Sequence, residues 1–472
     1  MNCFSLNKLA RAVGTLAWAM SALLAIRPVL AESQLREQLK AVANGKVDAS
    51  GLLQAAIDLE RGSLKIPMGR YRLEKSIVVD LANNQYCHLR TDGPVSLVMA
   101  AAGPAVRLIG SHQKSADPGT FTEQVWRNER MPLLEAIAIE GDHAEADGIE
   151  ADGTMQLTIS RMHFRKLRNA IHLVGNNRNV LIDACHIYEN HGIGVYYDDV
   201  NLHQSNIVGC HISYCDGGGI VARKGNVRNI HISGCDIESN MGRDGPPTAN
   251  VLIDCRDSEY GTAEVAITGC TIQHNSTGPD SCNIRILGGS RVAASGKPQR
   301  EGHVAITGNV LSDVATNVHL HQCRGVTLTG NTFWMGYQHN LLVEESSHIV
   351  IGSNNLDRNP RYDYGTALTT NNAVVLRQCD DCTITGLHIA HVWRSPAGLV
   401  LENCRRMNIT GSTILDCDNA GILAKNLTQS LIANCLIHQA DSTKRFRALI
   451  VEGGSDNTID AKLLDSAQRS NP

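Results

Sequence analysis

The sequence predicts an all-β fold, a parallel β-helix with three short strands per coil, on three observations. A motif of apolar, Ser/Thr, Gly, small, any, apolar recurs as IVGCHI, ISGCDI, ITGCTI, ITGNVL, LTGNTF, ITGLHI and ITGSTI, with looser copies in LIDACHI, TISRMHF, IGSNNL and LIANCL. A second run alternates with it in every repeat, as in AIHLV, GIGVYY, NVLID, NIRIL, NVHLH, NLLVE, AVVLR and GLVLE. Period-two alternation over four to six residues, bounded by Gly and Asn, marks half-buried strands. The repeat shortens to about 22 residues, which leaves no room for the crossover helix of a doubly wound α/β fold. A solenoid of stacked strands is what remains.

The first element, residues 1–31, reads as a secretory leader. Lys8 and Arg11 supply the positive start, Ala12 to Ile26 is uncharged and mostly apolar, and Val29-Leu30-Ala31 offers a small-residue cleavage site before Glu32. Export to the periplasm, cell envelope or medium is therefore expected, with no membrane association once the leader is gone. Its removal takes Lys8, Arg11 and Arg27 from the chain's 43 basic groups and none of its 47 acidic ones, leaving a formal net charge of −7. That balance speaks against a nucleic-acid partner. It leaves room for an acidic polysaccharide at a local cluster of arginines, and a monomer is expected.

Residues 32–62 should form an N-terminal segment and capping helix, whose apolar face is Leu52, Leu53, Ala56, Ile57 and Leu59. Ile66, Pro67, Gly69, Tyr71 and Leu73 follow as a strand and turn. This stretch, Asp48 to Val79, resembles the entry module of the pectin-lyase-like superfamily. With the repeats, the likeness spans roughly residues 48–460. The resemblance implies a right-handed parallel β-helix over 63–465, followed by a short tail, 466–472. It implies no single chemistry, because lyases, hydrolases, epimerases, tailspikes and adhesins share the fold.

In the repeat proper, one position recurs at Met162, Cys185, Cys210, Cys235, Cys270, Asn309, Asn331, Asn354, Leu387, Ser412 and Asn434. These residues should stack as one inward column, and Cys255, Cys323, Cys379 and Cys404 as a second. Thiols in parallel columns point the same way, a poor geometry for bridging, so free cysteines are expected despite export.

The known chemistries of the superfamily leave no complete signature. A polygalacturonase would need Asn-x-Asp, Asp-Asp, His-Gly and Arg-x-Lys in that order. Here His191-Gly192 precedes Asp198-Asp199, and Arg285-Ile286-Leu287 stands where Arg-x-Lys would. The Arg-x-Pro-x-x-Arg of pectate lyases and the Asp-Pro-His of alginate epimerases are absent.

Strand parity offers another route. In NVHLHQC, inward Val318 and Leu320 put His319 and His321 outside. The same parity places His172, Tyr196, Arg223, Asp254, Arg285, Glu344 and Arg377 on that outer face, beside unusually long insertions at 239–249, 256–264, 274–282, 288–303 and 357–371. This set is rich in proton-transfer groups. β-Elimination or epimerisation at a uronate needs a cation on the carboxylate, a base for the C5 proton and, for elimination, an acid for the leaving oxygen. Arg285 or Arg223 suits the first role, His319 or His321 the second, and Tyr196 the third. Asp254 joins them as a candidate catalytic group, with Arg223, Glu344, Arg377, His172 and Trp334 as substrate contacts.

Two alternatives remain. One is a glycoside hydrolase pairing Asp254 with Asp198, Asp199 or Asp280. The other is a non-catalytic β-helix that binds glycan or builds a surface layer. An outward stack of His163, His186 and His211, with Asp236 next, reads as surface histidines and not as a metal centre. Calcium at Asp198-Asp199 or at Asp257 and Glu259 is the one cofactor open to consideration.

Overall fold

The computed structural model describes residues 32–115, 117–291 and 299–460, so the leader and the 465/466 boundary lie outside the described residues. The chain winds as a triangular spool with three strand columns. One face is a parallel sheet of fourteen strands running from Ile77–Asp80 to Arg447–Glu452. The other two faces are separate ladders, joined into one sheet of 29 strands where His88–Met99 bends around a corner to pair with both Leu133–Glu135 and Ile137–Gly141. The expected parallel β-helix is thus the observed fold.

Registry is set by identical residues stacking. Ile159, Ile182, Ile207, Ile232, Ile267 and Ile306 are direct partners in successive coils, and all are buried. A one-residue slip would turn such a column to solvent, at about 1.5–3 kcal/mol per side chain.

The capping helix forms at Ser50–Leu59 and buries Leu53, Ala56 and Ile57. Leu59 is exposed instead, because it sits at the helix end beyond the first coil's core. The helix also satisfies the open strand edge: the Gln54 side chain accepts from Val78 N–H at 2.8 Å and donates to Val78 O at 2.9 Å. Ser50 Oγ accepts from Glu74 and Lys75 N–H at 3.0 and 3.1 Å. An unpaired β edge is thereby closed. Upstream of it, residues 32–42 are helical, and Asn44–Asp48 pairs with Ser63–Leu73.

The cysteine column is real, with one correction. The N–H groups of Cys185, Cys210 and Cys235 each donate to the next sulfur at 3.4–3.5 Å, and Cys270 N–H donates to Asn309 Oδ1 at 2.9 Å. In the last coil it is Cys435, not Asn434, that lies under Ser412, since Thr413 pairs with Leu436. Asn434 takes the left-handed turn position (φ 55°) that Gly411 (φ 62°) fills one coil earlier. Among the described residues all fourteen cysteines are free, and all but Cys435 are buried. Burial pushes the thiols of Cys87 and Cys215 up to about 12 and Cys282 up to about 11. These thiols should therefore resist alkylation at mild alkaline pH in the native protein and react in full after unfolding. Rapid labelling of several buried cysteines without denaturant would contradict this packing.

Candidate functional site

The fourteen-stranded sheet carries the predicted residues on its outer surface, but in two columns instead of one. Along the first, direct partners run Arg107, Glu150, His172, Tyr196, Val221, Leu252, Arg285, His319, Leu342, Val375 and Val400. Two residues downstream, the second runs Asp198, Arg223, Asp254, Leu287, His321, Glu344, Arg377 and Glu402. Val221 and Leu252 interrupt the first column with an apolar block, buried together with Ile193, Ala249 and Cys282. The insertion 239–249 reaches this block, where Cys282 N–H approaches Met241 Sδ at 3.2 Å. The proposed single groove is therefore two polar clusters, separated along the first column by a closed apolar stretch.

The first cluster holds His172, Tyr196, Asp198, Arg223 and Asp254. His172 Nε2 lies 3.1 Å from Asp198 Oδ2, and its ring stacks on Tyr196 at 5.2 Å between centroids. Burial, reinforced by Asp198, pushes the Tyr196 phenol up to about 12. Burial also opposes ionisation of Asp254, but bonds from Arg256 Nε and Nη2 at 2.8 and 2.7 Å outweigh it and hold the carboxyl below its ordinary range. Asp254 is thus held in an ion pair with Arg256. Asp199, turned to the corner at φ 46°, accepts from Gly225 N–H at 3.2 Å.

The second cluster holds Arg285, His319, His321, Glu344 and Arg377. Arg285 and His319 are direct partners on adjacent strands. Arg285 is only 5% exposed, and its Nη2 donates to the Asp280 carbonyl and carboxylate, both at 2.8 Å. His319 Nε2 lies 3.1 Å from Glu344 Oε2. Glu344 is flanked in turn by Arg377 Nη1 at 3.5 Å, and Arg377 Nε donates to Glu402 at 2.8 Å. Burial, with help from Arg285, lowers the His319 pKa against the opposing pull of Glu344 and Asp280. With Nε2–H assigned as donor to Glu344, Nδ1 carries the free lone pair, an oriented neutral base. His321 stands 6.3 Å from His319, ring to ring, with Nε2 3.6 Å from Glu345.

Tyr196 lies four strand spacings from His319, about 19 Å, so it cannot serve the same sugar as that base. Arg223 is likewise in the other cluster. The structure also adds a residue that the pattern hid. His339 sits on the outer surface beside this cluster, its Nδ1 3.5 Å from Thr316 Oγ1, with a pKa lowered by burial and by Arg377. Strict alternation from Leu341 and Val343 would turn it inward. A register break between His339 and Leu341 turns it out. The signal was a small residue or Asn at the corner, as in CNIRI, TNVHL and HNLLV, where buried Asn283, Asn317 and Asn340 form a hydrogen-bonded ladder at 2.7–2.8 Å. The residue before each Asn faces out.

His339, Arg377 and Glu402 border a cleft of ≈ 280 Å³ whose walls include Asn371, Arg394 and Ser395. Trp334 lies at the adjacent corner, its ring 4.5 Å from that of Tyr362. The His163, His186 and His211 stack is present on another face: His186 and His211 meet edge to face at 5.0 Å, and His211 Nε2 is 3.8 Å from Asp236. Asp257, weighed for calcium, pairs with Arg291 at 2.9 Å. Among the described residues no three or more His, Cys, Asp or Glu side chains are grouped to hold a metal ion, and no helix is long and apolar enough to cross a membrane.

Residues 126–258 match the family model described as right handed beta helix region, and residues 258–467 match the one described as periplasmic copper-binding protein (NosD). No curated protein matches the chain. Among solved structures, tailspike protein 3 of bacteriophage CBA120 is similar at 14% identity over 89% of this chain, with a TM-score of 0.47; the chain spans 62% of that protein's length. The Streptococcus pneumoniae surface protein and adhesin PfbA is 12% identical over 90% of this chain and 99% of its own, with a TM-score of 0.46. The A-module of the Azotobacter vinelandii mannuronan C-5 epimerase AlgE4 is 14% identical over 90% of this chain and 99% of its own, at 0.36. None of these likenesses supplies chemistry. The stacked parallel ladders, with residues 126–258 matching the right handed beta helix model, make the fold a right-handed parallel β-helix.

Proposed function

We propose that this is an exported protein that acts on an acidic, uronate-containing polysaccharide, as a lyase or epimerase, at the cluster around His319. The observation that carries the reading is the His319–Glu344 pair with Arg285 on the adjoining strand. Arg377, the exposed cation of the cluster, meets the uronate carboxylate, and the buried Arg285 adds positive potential from the adjoining strand, which acidifies the C5 proton. His319, kept neutral by burial and by Arg285 and oriented by Glu344, removes that proton. His321 donates a proton, to the leaving oxygen in elimination and to the opposite face of C5 in epimerisation. A base beside a cation fits proton abstraction better than hydrolysis, which would need two carboxylates flanking one bond. Asp280 is held by Arg285 and Asp254 by Arg256, so neither stands ready as such a pair.

The test is to incubate the protein without its leader with pectate, alginate and glycosaminoglycan polymers. Ultraviolet absorbance would follow unsaturated uronate, and proton NMR exchange at C5. Activity on at least one polymer is expected. Binding with neither elimination nor exchange would leave a glycan-binding or structural β-helix in its place.

A second reading follows from the copper-binding family model over 258–467, a stretch that includes His319, His321 and His339. It expects stoichiometric Cu(II) binding, for which the histidines of the described residues are not grouped as a ligand set. Equilibrium dialysis against copper separates the two readings.

A further inference from the structure

We infer that the hollow at the corner before the His319 face is a sugar subsite, which stacks one ring of the same glycan on Trp334, Tyr362 and Tyr364. The inference rests on the proposed glycan reading and adds where the chain of sugars leaves the reacting centre. The hollow has a volume of ≈ 330 Å³, and its lining also includes Gln273, His274 and Asp313.

Three facts point to a pyranose. Aromatic residues make up only 4% of the chain, yet one Trp and two Tyr gather here, with Tyr364 67% exposed. The remaining wall offers a carboxylate, an amide and an imidazole, donors and acceptors suited to hydroxyl groups around a ring whose faces are apolar.

The loop that brings Tyr362 and Tyr364 is also held in a fixed shape by a buried arginine. Arg358, 5% exposed, lies 3.7 Å over the Trp393 ring, donates from Nη1 to Ala367 O at 2.8 Å and from Nη2 to Thr370 O, and has Asp363 at 3.8 Å. Tyr337 Oη adds a 2.8 Å bond to Thr366 Oγ1. Carbonyl acceptors, a carboxylate and an aromatic face offset the burial of this guanidinium and hold the loop in one shape.

Placement links the hollow to the reacting face. Asp313 immediately precedes the strand Val314–His321, and Trp334 stands two residues before Gly336–Glu344. Trp334 and His339 are five positions apart across the left-handed turn at Met335 (φ 47°), so at most about 16 Å, or a few sugar rings, separates them.

The experiment uses two- and four-residue fragments of polygalacturonate, alginate and hyaluronan, titrated against tryptophan fluorescence in the wild-type, Tyr364→Ala and Trp334→Phe proteins. A four-residue fragment should quench the wild type, and the quench should vanish in Trp334→Phe. In Tyr364→Ala its affinity should fall roughly tenfold while binding of the two-residue fragment is unchanged. Equal affinity in Tyr364→Ala and wild type, survival of the quench in Trp334→Phe, or no quench by any fragment would overturn the subsite. Length-dependent binding without product would instead remove the proposed chemistry and leave the subsite standing.

Discussion

Replacing His319 with alanine is expected to lower turnover of the uronate polymer by about 10²–10⁴-fold, the usual worth of a positioned proton-transfer group. Binding should be largely kept, because Arg285, Arg377 and the cleft beside them remain. The pH profile gives the sharper check. Burial and Arg285 lower the His319 pKa, so the base form is present above that lowered value and is lost as pH falls through it. The acid limb of kcat/KM should therefore lie below the ordinary histidine value of about 6.5. Arg285 lowers the pKa and Glu344 raises it, so Arg285→Ala should move the limb up and Glu344→Gln should move it down, while both reduce the rate. Shifts in the same direction, or a limb unmoved in both variants, would mean that another group is titrating.

The second large effect is on stability. Asn331 sits at 1% exposure in the column that continues the cysteines. It donates to Ile306 O and Asn354 Oδ1, each at 2.9 Å, and accepts from the Asn309 backbone at 2.9 Å and its side chain at 3.0 Å. Asn331→Ala takes a partner from four buried polar groups at once, of which Asn309 Nδ2 keeps Ile267 O and Asn354 Oδ1 keeps the Asn331 N–H. Each unsatisfied group costs about 1–3 kcal/mol, and partial relaxation brings the expected total to about 3–5 kcal/mol. Cys235→Ala in the same column removes a weak N–H···S contact and a small volume, and should cost about 1–2 kcal/mol. Urea unfolding of the two variants beside wild type measures the difference. Equal midpoints would show that the asparagine ladder is merely filler.

How much of this was legible follows from where each signal resides. The column residues could be read because a solenoid converts sequence spacing directly into stacking: Cys185, Cys210 and Cys235 recur every 25 residues and lie one above another. The outward set could be read because strands alternate, so His319, Arg285, Glu344 and Arg377 were named from Val318 and Leu320 alone. Alternation failed at His339, where the strand bends at Asn340, and in the last coil at Asn434, where a one-residue shift separates turn from column. It also failed to separate two outward columns, since His319 and Glu344 occupy different positions on successive strands and meet only through side-chain reach. Tyr196 and Arg223 were assigned to the same sugar as His319 because the sequence carries no measure of the distance between coils.

The amino-acid sequence alone determined the spool, its inward columns, its cap and the list of groups on its outer face. Those depend on local periodicity and on burial, which act within one repeat and its neighbour. Only the tertiary structure decided which of those groups share a site, because that depends on the number of strand spacings between them and on the loops that close Val221 and Leu252 from view. Proton chemistry is possible only within a few ångströms, so the decisive quantity was a distance that no spacing along the chain encodes.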